Sequence, residues 1–261
     1  MANNLSLKAR LKKGEILLGT WVGIPSATVA DVVSSCGLDF VIIDTEHGPA
    51  GVETAENMVR AAQSNGVSAV VRVPSGEHHL ILRALDIGTD GVQVPHVSTR
   101  NEASAVIAGS KYFPDGERGL SPFTRAGKYG LNAAGHMGRS NDATAVILNI
   151  EGKKGIQNIE QIAKVKGIDV LFVGPYDLSQ SLGKPGDVEN SDVINAIKKT
   201  SSVAKKHGLA CGSFARDRRY LNILIECGVQ YITYKVDCAV ITAAYKTLKD
   251  EFKAALASKR K

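Results

Sequence analysis

Several things are missing from this chain, and each absence narrows what it can be. No apolar run approaches the roughly 20 residues a membrane span requires, so nothing points to a membrane partner. Met1 to Lys13 is polar and basic and has no apolar h-region, so nothing in it directs secretion. The four cysteines, Cys36, Cys211, Cys227 and Cys238, form no C-x-x-C pair. That leaves them as reduced, mostly buried thiols of a cytoplasmic protein. Positive charge is not gathered anywhere: 32 Lys and Arg against 26 Asp and Glu give +6, spread along the chain apart from the tail Lys259-Arg260-Lys261. A nucleic-acid binder would concentrate that charge on one face, whereas a modest excess suits small anionic substrates. No linker splits the 261 residues, and a composition of 44% hydrophobic and 22% charged residues excludes disorder. One large domain over 1–261 is therefore expected.

What is present is an alternation of short β-branched runs with stretches of helical period. Eight strands are expected: Leu17–Gly23, Phe40–His47, Ala69–Pro74, Gly91–Val97, Thr144–Glu151, Val170–Asp177, Ala210–Ala215 and Tyr231–Asp237. Helices are expected near 27–36, 51–65, 77–87, 100–110, 156–166, 191–207, 217–227 and 239–256, with an extra one over Ser6–Lys12 before the first strand. Gly37-Leu38-Asp39, Gly167-Ile168-Asp169 and Gly228-Val229-Gln230 each end a helix and open a strand, and Gly88-Thr89-Asp90 does the same. Glycine at a helix C-terminus takes the left-handed conformation that turns the chain back. Runs such as Phe40-Val41-Ile42-Ile43 are apolar on consecutive positions, as in a parallel sheet covered on both faces. Eight such units predict an α/β fold, the closed (β/α)8 TIM barrel. A doubly wound open sheet is the other candidate, but no G-x-G-x-x-G follows the first strand, which ends Gly23-Ile24-Pro25-Ser26. The stretch 111–143 has no clear period and reads as a long functional or mobile loop.

A barrel of this kind carries its active site at the C-terminal ends of its strands. Strand two ends Asp44-Thr45-Glu46-His47-Gly48-Pro49, strand three Arg72-Val73-Pro74, strand five Asn149-Ile150-Glu151 and strand six Gly174-Pro175-Tyr176-Asp177. Taken singly, Asp44 or Glu46 could be a helix cap or a solvated charge, Arg72 a structural ion-pair partner and His47 a satisfied polar residue. Together they put four carboxylates, one imidazole and one guanidinium at one mouth, and like charges so gathered repel unless a cation binds them. Glu151 and Asp177 on neighbouring strands, completed by water, make a hard-oxygen site of the kind Mg2+ or Mn2+ accepts.

These motifs, with Phe172-Val173-Gly174-Pro175-Tyr176-Asp177-Leu178-Ser179 and Pro114-Asp115-Gly116-Glu117-Arg118-Gly119, resemble the HpcH/HpaI aldolase family. Its members are class II, metal-dependent pyruvate aldolases of the phosphoenolpyruvate/pyruvate-binding barrel superfamily, acting on 4-hydroxy-2-oxo-heptanedioate or 2-keto-3-deoxy sugar acids. The resemblance runs from Gly19-Thr20-Trp21 to Lys235-Val236-Asp237. It implies that Glu151 and Asp177 hold a divalent metal (Mg2+, Mn2+ or Co2+) and that backbone amides of Gly174, Pro175, Tyr176 and Asp177 surround the pyruvate carboxylate. It further implies Arg72 at the enolate oxygen, His47 as acid/base, Asp86 paired with a neighbouring subunit's His47, Asp44 orienting the site, and Trp21, Asn149 and Phe214 lining the pocket. It also implies a hexamer, a trimer of dimers, with the helix 239–256 swapped between subunits. The chain departs from the family twice: Asn149 stands where Gln is usual, and Lys235 where Gly is usual.

Three other readings stay open on the sequence. Lys235 could serve a class I aldolase as Schiff-base nucleophile. The chain could be an acyl-CoA lyase of the citramalyl- or malyl-CoA type. Or it could be an inactive oxo-acid-binding barrel. The aldehyde partner is expected to meet side chains from the long loop and from a neighbouring subunit, with Arg118 or Arg125 favouring a second carboxylate on it.

Overall fold

The strand Phe40-Val41-Ile42-Ile43-Asp44 is buried at every position, which a parallel sheet covered on both faces permits. The computed structural model describes residues 5–131 and 134–258 and places eight parallel strands in chain order as one closed barrel. They are β1 (Leu17–Val22), β2 (Phe40–Asp44), β3 (Ser68–Arg72), β4 (Gly91–Val94), β5 (Ala145–Asn149), β6 (Val170–Val173), β7 (Ala210–Ala215) and β8 (Tyr231–Val236). The expected (β/α)8 TIM barrel is thus observed. The helices are α1 (Leu7–Lys12), α2 (Ala27–Ser35), α3 (Val52–Ser64), α4 (His78–Asp86), α5 (Arg100–Ser110), α6 (His136–Ala143), α7 (Lys153–Gln157), α8 (Ile159–Ile162), α9 (Pro175–Ser181), α10 (Ser191–Lys206), α11 (Arg218–Glu226) and α12 (Asp237–Ser258). The Lys259-Arg260-Lys261 tail and the first four residues lie outside the described residues.

The barrel interior is aromatic. Phe40 and Tyr231 stack with ring centroids 4.0 Å apart, and Phe172 meets Tyr231 and Trp21 edge-on. Two strand glycines make room: a Cβ at Gly19 would collide with the Phe40 ring, and one at Gly212 would meet both Phe172 and Tyr231. Leu7 and Leu11 of α1 pack into the same cluster from below and close the barrel bottom.

The repeated helix-to-strand device has a second part. Gly37, Gly88, Gly167 and Gly228 all take positive φ, between 75° and 98°. In three of the four units an Asp two residues later ties the new strand to the preceding one. Asp39 accepts the N–H of Leu18, Asp90 that of Ala69 and Asp169 that of Val146, at 2.8–2.9 Å. The clamps join β1 to β2, β3 to β4 and β5 to β6; Gln230 takes the fourth position and reaches toward the carbonyl of Leu11 in α1 instead.

The observed elements differ from the expected ones in four places. Strand pairing stops earlier at the mouth, so Glu46, His47 and Glu151 sit in the βα connections just beyond the ladders and Asp177 in the first turn of α9. The run expected as strand to Asp177 ends at Val173, because Pro175 starts α9 at its first turn, where its missing N–H costs nothing. The helix expected over 156–166 is two short ones, α7 and α8, meeting at Asn158, whose amide donates to the Ser98 carbonyl. The stretch 111–143 contains α6, whose sequence shows no amphipathic stripe and which buries only His136 and Asn141. Because that stretch runs from the end of a helix to the start of β5, it belongs to the barrel bottom, opposite the mouth.

None of the described helices is long and apolar enough to cross a membrane. All four cysteines are free, but Cys36 and Cys238 are exposed, so the expectation of mostly buried thiols holds only for Cys211 and, in part, Cys227.

Candidate active site

The C-terminal ends of the strands enclose a cavity of about 630 Å³. Of the expected site residues, Trp21, Asp44, His47, Arg72, Asn149 and Glu151 line it from β1, β2, β3 and β5. Gly174, Pro175, Tyr176, Asp177 and Phe214 line it from β6 and β7. Asp86 does not. It ends α4 at the barrel bottom, where its carboxylate accepts from Arg118 Nη2 at 2.7 Å.

Asp44 and Arg72 are register partners across β2 and β3, which puts their side chains side by side. Arg72 donates from Nε and Nη2 to the two oxygens of Asp44 at 2.9 and 2.6 Å. Its Nη1 lies 3.1 Å from Glu46 Oε2, and its guanidinium sits 4.2 Å above the Trp21 ring. Trp21 is itself fixed, Nε1 donating to Thr233 Oγ1 at 2.9 Å. A guanidinium has five N–H groups; only two are hydrogen-bonded here, both to Asp44, which leaves the two on Nη1 and one on Nη2 without a hydrogen bond to the protein. Asp44 Oδ1 also accepts the backbone N–H groups of Glu46 and His47, which bends the strand end into a turn. Gly48 completes that turn, since a Cβ there would strike the Asp44 carbonyl. His47 is 69% exposed, with Glu46 Oε1 4.0 Å from its Nε2.

Glu151 is buried and held from three sides. Its Oε1 accepts the His96 N–H at 2.7 Å, and His96 Nδ1 lies 3.0 Å from the same oxygen. Its Oε2 accepts from Asn149 Nδ2 at 3.2 Å, and Asn149 Oδ1 in turn accepts from Gln93 Nε2 at 2.8 Å. Both ends of the Asn149 amide are thus committed within the protein. Gly174 fits only because it lacks a side chain: a Cβ would come within 2.7 Å of Glu151 Oε2. Burial pushes the Glu151 carboxyl above the usual carboxylate range; His96 opposes that, while Asp177 and Glu46 reinforce it. A carboxylate destabilised by burial and by two like charges is one that a cation would relieve. Among the described residues, no three His, Cys, Asp or Glu side chains converge as a ligand cage. Two carboxylates with remaining positions left to water and substrate is the arrangement Mg2+-type cations accept, and the donor set fits such an ion.

Between these polar groups the cavity lining is apolar, with Ile24, Pro25, Pro49, Tyr176, Phe214 and Val236. Arg72 is the only Lys or Arg among the described residues that line it. Arg118 and Arg125, expected near the aldehyde, sit at the barrel bottom: Arg118 pairs with Asp86, and Arg125 donates to the carbonyls of Ile87 and Gly88 and to Gln63. Lys235 is also elsewhere. A left-handed residue (φ 62°) where the β8–β1 register shifts turns it outward, to a groove beside α2, with Nζ 5.4 Å from the Tyr234 ring. A Schiff-base lysine is therefore not placed at the mouth.

Three positioning residues escaped the sequence reading. His96 was hidden by extending the fourth strand to Val97. Gln93 lies inside β4 and is fully buried, facing Asn149. Asp237 is 4% exposed and accepts the N–H groups of Gly23, Ile24 and Cys238, which holds the β1–α2 connection against the cavity. A polar residue directly after each apolar run was the available signal for His96 and Asp237.

Comparison with known proteins agrees with this geometry. Residues 17–244 match the family described as HpcH/HpaI aldolase/citrate lyase. A hydroxypyruvate/pyruvate aldolase of Sagittula stellata is 36% identical over 91% of this chain and 93% of its own length. A 5-keto-4-deoxy-D-glucarate aldolase of Salmonella paratyphi C is 33% identical over 94% and 96%. The crystal structure of an HpcH/HpaI aldolase/citrate lyase family protein from Burkholderia cenocepacia superposes with a TM-score of 0.90 at 32% identity, covering 95% of this chain and 98% of that one.

Proposed function

The chain belongs to the HpcH/HpaI aldolase/citrate lyase family and is a carbon–carbon lyase of the aldolase type, and from the mouth geometry we propose that it cleaves and forms 4-hydroxy-2-oxo acids, yielding pyruvate and an aldehyde, at a divalent cation. The observation that carries this reading is the buried, like-charge-destabilised Glu151 beside Asp177, in one cavity with an Arg72 whose hydrogen bonds use only two of its five N–H groups.

Glu151 and Asp177 are the residues that would hold the cation, which when bound supplies a Lewis acid for the 2-oxo group and for the enolate charge. Arg72, aligned by Asp44, Glu46 and the Trp21 ring, presents donors to the developing enolate oxygen. The N–H groups of Tyr176 and Asp177 lie in the first turn of α9, where no intrahelical acceptor exists, and are available to a carboxylate. Pro175 contributes no N–H. His47, exposed at the rim, takes the proton of the 4-hydroxyl as the carbon–carbon bond breaks. Asp86, fixed by Arg118 at the barrel bottom, would reach His47 only from a neighbouring protomer.

Apart from Arg72 no Lys or Arg among the described residues lines the cavity, and the rest of the lining the aldehyde would meet is largely apolar. That favours an uncharged or hydroxylated aldehyde over one bearing a second carboxylate, unlike the sequence-based expectation. A panel of aldehydes with pyruvate checks it.

The same reading includes a homo-oligomer. α12 leaves the barrel with Ile241, Tyr245, Leu248, Phe252 and Leu256 exposed, and a groove of about 570 Å³ between α2 and β8 stands open and almost wholly apolar. A hexamer with α12 exchanged between protomers covers both. Four free cysteines suit a cytoplasmic setting, with sugar-acid catabolism the context that the Salmonella relative's name suggests.

Chelation tests the metal reading. Pyruvate-forming activity should vanish in excess EDTA after dialysis and return with Mg2+, Mn2+ or Co2+. Full activity in chelator would sink it.

A further inference from the structure

The four strand ends from β2 to β5 are joined by one imidazole. His96 follows β4 and takes a left-handed backbone conformation, φ 58°. For a residue other than glycine that conformation is uncommon and strained. Packing does not explain it, because the side chain is 65% exposed. What the conformation achieves is polar. The His96 N–H and Nδ1 both meet Glu151 Oε1, at 2.7 and 3.0 Å, while Nε2 lies 3.4 Å from Glu46 Oε1. The other oxygen of Glu46 lies 3.1 Å from Arg72 Nη1. An unbroken chain of contacts therefore runs Asp44, Arg72, Glu46, His96, Glu151, Asn149, Gln93.

We propose that His96 is a positioning residue of the cation site, its ring seated between Glu46 and Glu151 so that Glu151 is held at a fixed distance from the carboxylate on which Arg72 is braced. This rests on the reading of Glu151 as a cation ligand. A ring at this point separates two buried carboxylates that would otherwise repel. It also couples the group that grips the cation to the group that grips the enolate. Any residue would supply the backbone N–H, so the imidazole is the part that matters.

The left-handed backbone supplies a clean test. His96→Gly keeps the backbone N–H and fits φ 58° without strain. His96→Asn also tolerates that conformation and retains one side-chain N–H donor. Mn2+ binding is measured by calorimetry on the full chain for wild type, both variants and Glu151→Ala, with melting temperature and pyruvate KM on each. Loss of a group that orients a metal ligand typically costs 10–100-fold in metal affinity. His96→Gly should weaken Mn2+ by about that factor at an unchanged melting temperature and raise KM for pyruvate, and His96→Asn should recover part of both. Wild-type Mn2+ affinity and KM in His96→Gly, with Glu151→Ala binding none, overturn the role of His96 and leave the metal reading standing. A fall in melting temperature that matches the loss of affinity in both His96 variants marks a structural residue and overturns it too. Wild-type Mn2+ binding by Glu151→Ala overturns both readings.

Discussion

The two ends of the barrel each gather an excess of one charge, and they handle it in opposite ways. The mouth collects Asp44, Glu46, Glu151 and Asp177 around one Arg72, and leaves about 630 Å³ open beside them. The bottom collects Lys8 and Lys111 around one Asp169. There Lys8 Nζ lies 3.3 Å from Asp169 Oδ1, and Lys111 Nζ donates to the carbonyls of Asn141 and Thr144 at 2.9 and 2.8 Å. Only a crevice of about 30 Å³ remains beside Lys8. The bottom satisfies Lys8 and Lys111 with the protein's own carbonyls and Asp169, and the wider cavity of about 650 Å³ at that end, lined by Gln63, Asp90 and Arg125, is reached by neither lysine. The mouth hydrogen-bonds Asp44 and Glu151 but leaves its negative charge in excess and open to the cavity, which is how a site for a cation and an anionic substrate differs from a structural seal.

That contrast predicts that substitutions at the mouth change rates and those at the bottom change stability. The largest effect is expected at His47. His47→Ala should reduce aldol cleavage by roughly 10²–10⁴-fold while sparing decarboxylation of oxaloacetate, which needs no hydroxyl deprotonation. Asp86→Ala should add little to it, since both act on one relay. Equal loss of both activities in His47→Ala would remove its acid/base role. Next comes Arg72→Lys, which keeps the charge but not the fork shared among Asp44, Glu46 and the enolate. Turnover should fall about 100-fold, and wild-type turnover would make Arg72 part of the scaffold.

The smallest effect belongs to the bottom and is a dependence on pH. Burial, with the charge of Lys8, lowers the Lys111 ammonium to about 8. The unfolded chain then binds that proton more tightly than the folded one between about pH 8 and 10.5, so this group adds stability as pH rises through that window. Lys111→Met should flatten the rise, by on the order of 1–3 kcal/mol, in denaturant melts at pH 7.5 and 10. Turnover should hold. A large drop in turnover with unchanged melts would erase the distinction between the two ends.

The same contrast explains what could be read from sequence. Strands and mouth carboxylates were legible because a polar residue after an apolar run in a βα unit has one place to go. Lys8 and Lys111 were not, since in sequence a lysine bonded to buried carbonyls looks like any surface lysine. His96 was missed because its direction depends on a left-handed φ that no local pattern announces. Arg118 and Asp86 were legible as charges but not as each other's partners, 32 residues apart with β4 and α5 between them. Pro175 was the overlooked punctuation that starts α9 and aims Asp177.

Asp237 sets a limit on how this protein can be cut. It is the first residue of α12 and also the acceptor that ties down Gly23 and Ile24 on the cavity wall. A truncation that removes α12 from its start would therefore also release the β1–α2 connection, and an inactive product would say nothing about assembly. A deletion that begins after Cys238 keeps all three N–H groups on that carboxylate, and separates the helix from the wall it is anchored beside.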